Sequence, residues 1–129
     1  MRIRELLEST ARVMYHVSRN ANQKSILTHG LLAKNKEHLN IKRTPGVYLF
    51  ARLDSAIDWA FWTALHEQQS MDIWQVTLPT DYDIKKDSHP EMKEWDAYIG
   101  YDTILPKQLK VLKIQSVPKS AKEAPLFSN

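Results

Sequence analysis

The sequence predicts a single α+β domain, and three observations point there. Helix-like and strand-like segments follow one another without the regular strand–helix alternation of a doubly wound sheet. No internal repeat and no domain linker divides the 129 residues, a length that suits one compact unit. A composition of 43% hydrophobic and 26% charged residues, with only 3 Gly, supplies a core of ordinary size for such a chain.

The elements follow in order. Ile3 to Ala11 is amphipathic at helical spacing. Arg12 to Ser18, "RVMYHVS", alternates and is rich in β-branched and aromatic residues, so it predicts a strand. "NANQKSILTHG" predicts a helix, with Asn20 as its cap and Gly30 at the C′ position. A polar stretch ending in Pro45-Gly46 reads as a loop, and Lys34, Lys36, Lys42 and Arg43 make it the densest positive patch. "VYLF", Val47 to Phe50, is a short buried strand. Asp54 or Ser55 is expected to cap the longest helix, which runs to about Gln68. At about 100° per residue its buried stripe is Leu53, Ile57, Ala60, Phe61 and Ala64, with Trp59 and Trp62 well off it. Met71 to Leu78 is a strand stopped by Pro79. Residues 79–95 read as a polar loop carrying Asp81, Asp83, Asp87, Glu91 and Glu94. "EWDAYIGYDTILPKQLKVLKI", Glu94 to Ile114, reads as strand, turn and strand. The domain is placed at 1–116. Residues 117–129 form a low-order tail, docked if at all through Leu126 and Phe127.

Several function classes drop out. There is no Cys, so disulfides and thiolate metal sites are excluded, in keeping with a reducing cytoplasm. The five His at 16, 29, 38, 66 and 89 form no HxxH or HExxH pair, so no metal site is expected. Walker, GxGxxG and GxSxG patterns are missing. No apolar run reaches the length of a membrane span, and "MRIRELLEST" has no signal-peptide core. A net charge of +3 and a pI near 9.1 lean mildly towards polyanions such as nucleic acid.

Three separated segments together resemble the ADP-ribosyltransferase superfamily, in its poly(ADP-ribose)polymerase-like branch. "MYHVSRNANQKSILTHGL" resembles a first motif in which a strand carries His, then Ser or Thr two residues on, before a helix ending in I-L-x-x-G-L. "TPGVYLFARLDSAIDW" resembles a second, G-[IV]-Y-[FL] followed by a helix. "WDAYIGYDTILPKQLKVLKI" resembles a third, Asn-Glu-Tyr-Ile-Val-Tyr-Asp before a strand. Order and spacing agree from about Val13 to Ile114. The resemblance implies a split β-sandwich around an NAD cleft and breakage of the nicotinamide–ribose bond through an oxocarbenium-like transition state, akin to glycoside hydrolysis. It implies NAD as substrate, no metal, and an acceptor that is a nucleic acid or a protein.

By the same resemblance His16 holds a ribose hydroxyl, Ser18 contacts the nicotinamide amide, Tyr48 is the aromatic of the central motif, and Trp59 is a second stacking aromatic. Each residue also has an ordinary reading: a strand His beside Tyr15 and Val17, or a Tyr inside "VYLF", is commonplace in a core. Trp59 lies off the buried stripe and so needs another partner. The DarT-like toxins of this superfamily carry an Arg after the central strand, and Arg52 in "YLFARL" is similar, for the NAD pyrophosphate or for catalysis.

The third motif departs from the family at one position: Ala97 falls on its catalytic Glu. Asp96 is the obvious substitute, but successive strand side chains point to opposite faces, so only a bulge or register shift would turn it inward. Three accounts follow. The chain is an inactivated form with Glu replaced by Ala, or a natural module that binds NAD or ADP-ribose, or an enzyme whose acid comes from the Asp81–Glu94 loop. The intact surroundings of position 97 favour the first. The expected function is an NAD-dependent mono-ADP-ribosyltransferase of the small cytoplasmic toxin or effector type, with an antitoxin as a further partner. The alternative is a catalytically inactive module binding NAD, ADP-ribose or nucleic acid. RNA 2′-phosphotransferases share the fold, but grip phosphate with paired Arg and His, for which only Arg19, Arg52 and His16 are at hand.

Overall fold

The computed structural model describes residues 12–33, 46–89, 92 and 95–125. The expected helix at Ile3–Ala11, the basic patch from Lys34 to Arg43, Glu91, Glu94, Leu126 and Phe127 lie outside the described residues.

Alternating β-branched and aromatic residues make β1 (Arg12–Arg19) and β3 (Met71–Leu78), which pair antiparallel along their whole length, from Arg12↔Leu78 to Arg19↔Met71. Beyond β3 lies β6 (Leu109–Gln115), also antiparallel, with its register shifted between Ile73 and Trp74. On the other side β2 (Val47–Phe50) pairs with β5 (Ala97–Gly100), and β5 with β4 (Ile84–Lys86). The order is β4-β5-β2-β1-β3-β6. β4 falls inside what reads from sequence as a polar loop; three residues, Ile-Lys-Lys, are too few to show an alternation. Both outer strands carry lysines, Lys85 and Lys86 on β4 and Lys110 and Lys113 on β6, which discourages further edge pairing.

One register pair, Tyr15↔Phe50, joins β1 to β2. The sheet therefore divides into halves, β4-β5-β2 and β1-β3-β6, that meet at a narrow seam. A core lies on each side. One holds Met14, Ile26, Leu31, Val47, Leu49, Trp74, Val76, Leu78, Tyr82 and Ile104. The other holds Phe50, Ala56, Ala60, Ala64, Met71, Ile73, Met92 and Ala97.

The first core is closed by α1 (Gln23–His29), entered through a 3-10 turn at Asn20–Asn22. Gly30 ends α1 with φ 77°, and a Cβ there would run into the Ile104 carbonyl oxygen. The backbone bridge Leu31↔Ile104 depends on that approach. Asn20 is not a cap: its side chain makes no capping bond and donates instead to Asp72 Oδ1 at 2.9 Å. The second core is closed by α2 (Leu53–Glu67), which stops at Gln68 with φ 56°. Its buried face is Ala56, Ala60, Phe61 and Ala64. The three Ala at i, i+4, i+8 share one side and let the helix lie close on the sheet. Leu53, expected on that stripe, is 38% exposed. Neither Asp54 nor Ser55 caps α2; Arg52 occupies the N-cap position without a side-chain cap bond, and Asp54 pairs with Arg52 instead. The tail is more ordered than its composition suggests: Pro118 is buried, and a 3-10 turn at Ala121–Glu123 is closed by a Ser120/Glu123 capping box.

Candidate functional site

His16 and Ser18 sit two apart on β1 and so point to one side of the sheet, the side of Met14 and of Trp74, which stands opposite His16 on β3. His16 Nδ1 lies 2.7 Å from the Tyr48 carbonyl oxygen. A carbonyl has no proton to give, so Nδ1 carries the hydrogen and Nε2 is an acceptor. Burial lowers the ring's pKa from 6.5, the Tyr48 bond opposing it, so the imidazole is neutral at neutral pH. This bond also spans the seam: beyond Tyr15↔Phe50 it is a side chain that joins β1 to β2. Ser18 Oγ accepts from Trp74 Nε1 at 2.8 Å, which leaves the hydroxyl hydrogen as a donor.

Tyr48, Phe50 and Ala97 occupy the opposite side, because β2 pairs Phe50 with Ala97 and Tyr48 with Ile99. Trp59 packs there as well. Its ring centroid lies 5.9 Å from Phe50 and 5.1 Å from Trp95, the latter edge to face. The partner that Trp59 requires is thus this aromatic group beside Ala97. The structure brings Tyr48, Trp59 and Ala97 to one side and His16 with Ser18 to the other, and the Tyr48 carbonyl at the seam joins the two sets.

Ala97 is 1% exposed within an apolar group with Phe50 and Met92. Asp96 does not stand in for it. It precedes β5 at φ 52°, and its carboxylate faces Lys86 at 3.5 Å. Arg52 has a side chain 64% exposed and forked onto the Asp54 carboxylate. That bond, together with the charges of Asp54 and Asp96, raises its pKa further. Arg52 follows Phe50, which pairs with Tyr15, whereas Arg19 ends β1 and binds Glu67 at 2.9 Å. The Arg19, Arg52 and His16 set of a phosphotransferase is therefore not assembled in one place.

Two buried carboxylates escape a reading by sequence. Asp72, opposite Ser18, is fully buried and accepts from Asn20 Nδ2 at 2.9 Å and Gln23 Nε2 at 3.2 Å. The Asn and Gln of the first motif were the available signal, since they are obvious amide partners for an acid. Asp87 is 6% exposed; its Oδ1 accepts from the His89 backbone N at 2.9 Å, while Oδ2 is buried without a hydrogen-bond partner among the described residues. Within a run of Asp and Glu, nothing in the sequence separates it from its solvated neighbours.

A groove of about 350 Å³ lies elsewhere, between α2, β6 and the tail, with Ile57, Phe61, Lys113, Val117 and Pro118 in its walls. None of His16, Ser18, Tyr48, Arg52, Trp59 and Ala97 lines it. Among the described residues no helix is long and apolar enough to cross a membrane, and no group of three or more His, Asp or Glu side chains is placed to hold a metal ion. No protein-family model matches the chain, and searches of curated proteins and of solved structures find no match.

Proposed function

We propose that the chain is an NAD-dependent mono-ADP-ribosyltransferase of the small toxin or effector type, acting on a nucleic acid or a protein. The observation that carries this reading is His16. A neutral imidazole at the seam, with Nδ1 committed to the Tyr48 carbonyl and Nε2 left as an acceptor, suits a ligand hydroxyl such as that of a ribose. The two-half sheet supports it. A dinucleotide lying across the seam can meet His16 and Ser18 from one half and the aromatic groups around Tyr48 from the other. Ser18 keeps a hydroxyl hydrogen for a carboxamide oxygen. Trp59 offers a ring already braced by Phe50 and Trp95. Arg52, exposed beside Asp54, is a charge that a pyrophosphate can draw away from its carboxylate partner.

A second reading, a module that binds NAD or ADP-ribose without chemistry, is favoured by one observation: Ala97, at the position of the motif's acid, is packed in an apolar group. Two measurements on the native chain separate them. NAD should raise the melting temperature under both, because a ligand of the native state stabilises by mass action. Release of nicotinamide in the presence of cell extract, RNA or DNA is expected only of an enzyme. No thermal shift with millimolar NAD or ADP-ribose ends both readings. Label transferred to nucleic acid, with binding that falls steeply as salt rises, identifies that acceptor; label on a polypeptide at any salt identifies the other. The reading includes a cytoplasmic setting and an antitoxin that blocks the seam.

A further inference from the structure

We propose that Asp87 supplies the carboxylate that Ala97 lacks, an inference that rests on the transferase reading above.

Asp87 directly follows β4, and its backbone N donates to the Ala97 carbonyl oxygen at 2.9 Å. The ladder runs Ile84↔Gly100, Lys85↔Ile99, Lys86↔Tyr98, so Asp87 is the next residue along and stands opposite Ala97. Residues directly opposed in an antiparallel pair share a face. The Asp87 carboxylate therefore belongs to the side that holds Ala97, Phe50 and Trp59. A carboxylate at 87 and a methyl at 97 occupy, together, the place where the third motif carries a longer acid on β5. The small Ala97 is what leaves room for an acid from the neighbouring strand.

The hydrogen bonding is that of a group reserved for something else. Oδ1 is fixed by the His89 N–H, which orients the carboxyl plane. Oδ2 is buried and has no partner among the described residues. A buried oxygen without a donor is costly to keep. Asp83, Asp96 and Asp102 are not in this position: they are half-buried or exposed, and the Asp96 carboxylate faces Lys86.

In the step this supports, the C1′–N bond of NAD breaks and both its electrons leave with nicotinamide. The acceptor's lone pair forms the new bond at C1′. The acceptor's proton passes to the Asp87 carboxylate and from there to solvent. The same carboxylate steadies the positive charge that develops on the ribose.

The test uses the native chain, Asp87→Asn and Ala97→Glu, each assayed for nicotinamide release and for NAD-induced thermal shift. The inference expects the native chain to turn NAD over. It expects Asp87→Asn, which keeps the acceptor for His89, to lose about 100-fold or more in rate while its NAD shift is unchanged. Asp87→Ala supplies a second arm: added formate, filling the space left by the carboxylate, should restore part of the rate, which a merely structural role would not allow. Full activity in Asp87→Asn overturns the inference and leaves the transferase reading in place. So does an inert native chain that Ala97→Glu activates, since the missing acid is then the one at 97. If NAD binds and both the native chain and Ala97→Glu are inert, the transferase reading falls to the binding module. If NAD does not bind, both fall.

Discussion

The Nδ1 proton of His16 is committed to the Tyr48 carbonyl, so a change that removes the imidazole takes a donor from the seam. His16→Leu should cost about 1–3 kcal/mol by chemical or thermal denaturation. The pH dependence follows from the lowered pKa. The unfolded chain takes up a proton near 6.5 and the folded ring only at lower pH, so protonation favours the unfolded state. Stability is full above 6.5 and falls progressively as pH drops from there towards the folded pKa. In His16→Leu that step should be absent from a plot of melting temperature against pH; an unchanged step would assign it to another group. The places of His16, Ser18 and Tyr48 on β1 and β2 were legible because each lies in a segment that reads as a strand. Asp87 was not. Its burial comes from standing opposite Ala97 ten residues later, a tertiary fact that a run of acidic residues conceals. Nor was the division of the motif residues over two sides of the sheet legible, since alternation along β1 and along β2 fixes each strand's faces but not how the faces of one meet those of the other.

At the scale of elements, β1 was readable from alternation and β-branched and aromatic content, β2 as a short buried run, and β3 as a strand stopped by Pro79. Caps were misjudged for a local reason: Asp54, free to bond the helix N-terminus, is held by Arg52 two residues before it. The union of α1 with the sheet was unreadable, because it rests on Asp72, an acid inside an otherwise apolar strand. Asp72 receives Asn20 and Gln23 and thereby ties the 3-10 turn and the start of α1 to β3. Asp72→Ala removes both acceptors and leaves two amide donors facing a buried gap, a loss on the order of 3 kcal/mol. Asn20→Ala, with Gln23 still bonded, should lose roughly half as much. Equal stability of Asp72→Ala and the native chain in denaturant titrations would show that α1 is held by Ile26 packing alone.

Across the whole molecule the two halves of the sheet are unequally secured. β1 and β3 are paired at eight successive positions and covered by α2, while β2 and β5 are paired at four and β5 with β4 at three. The halves share one ladder pair and the His16 to Tyr48 bond. Local stability follows how much hydrogen bonding and burial an opening must break. The β4-β5-β2 half can therefore open while the other stays folded. Hydrogen exchange should find central amides of β1 and β3, such as those of Tyr15 and Trp74, exchanging only through global unfolding. Amides of Leu49 and Tyr98 should exchange through a cheaper, partial opening. The proposed ligand lies across the seam and binds only when the halves are in place. Saturating NAD should then slow exchange at Leu49 and Tyr98 more than at Trp74, bringing the two classes together. Equal protection of both halves without ligand would mean that the seam transmits cooperativity as well as a full ladder does. Slowing confined to α2 and β6 would move the ligand to the groove walled by Phe61 and Val117, away from His16.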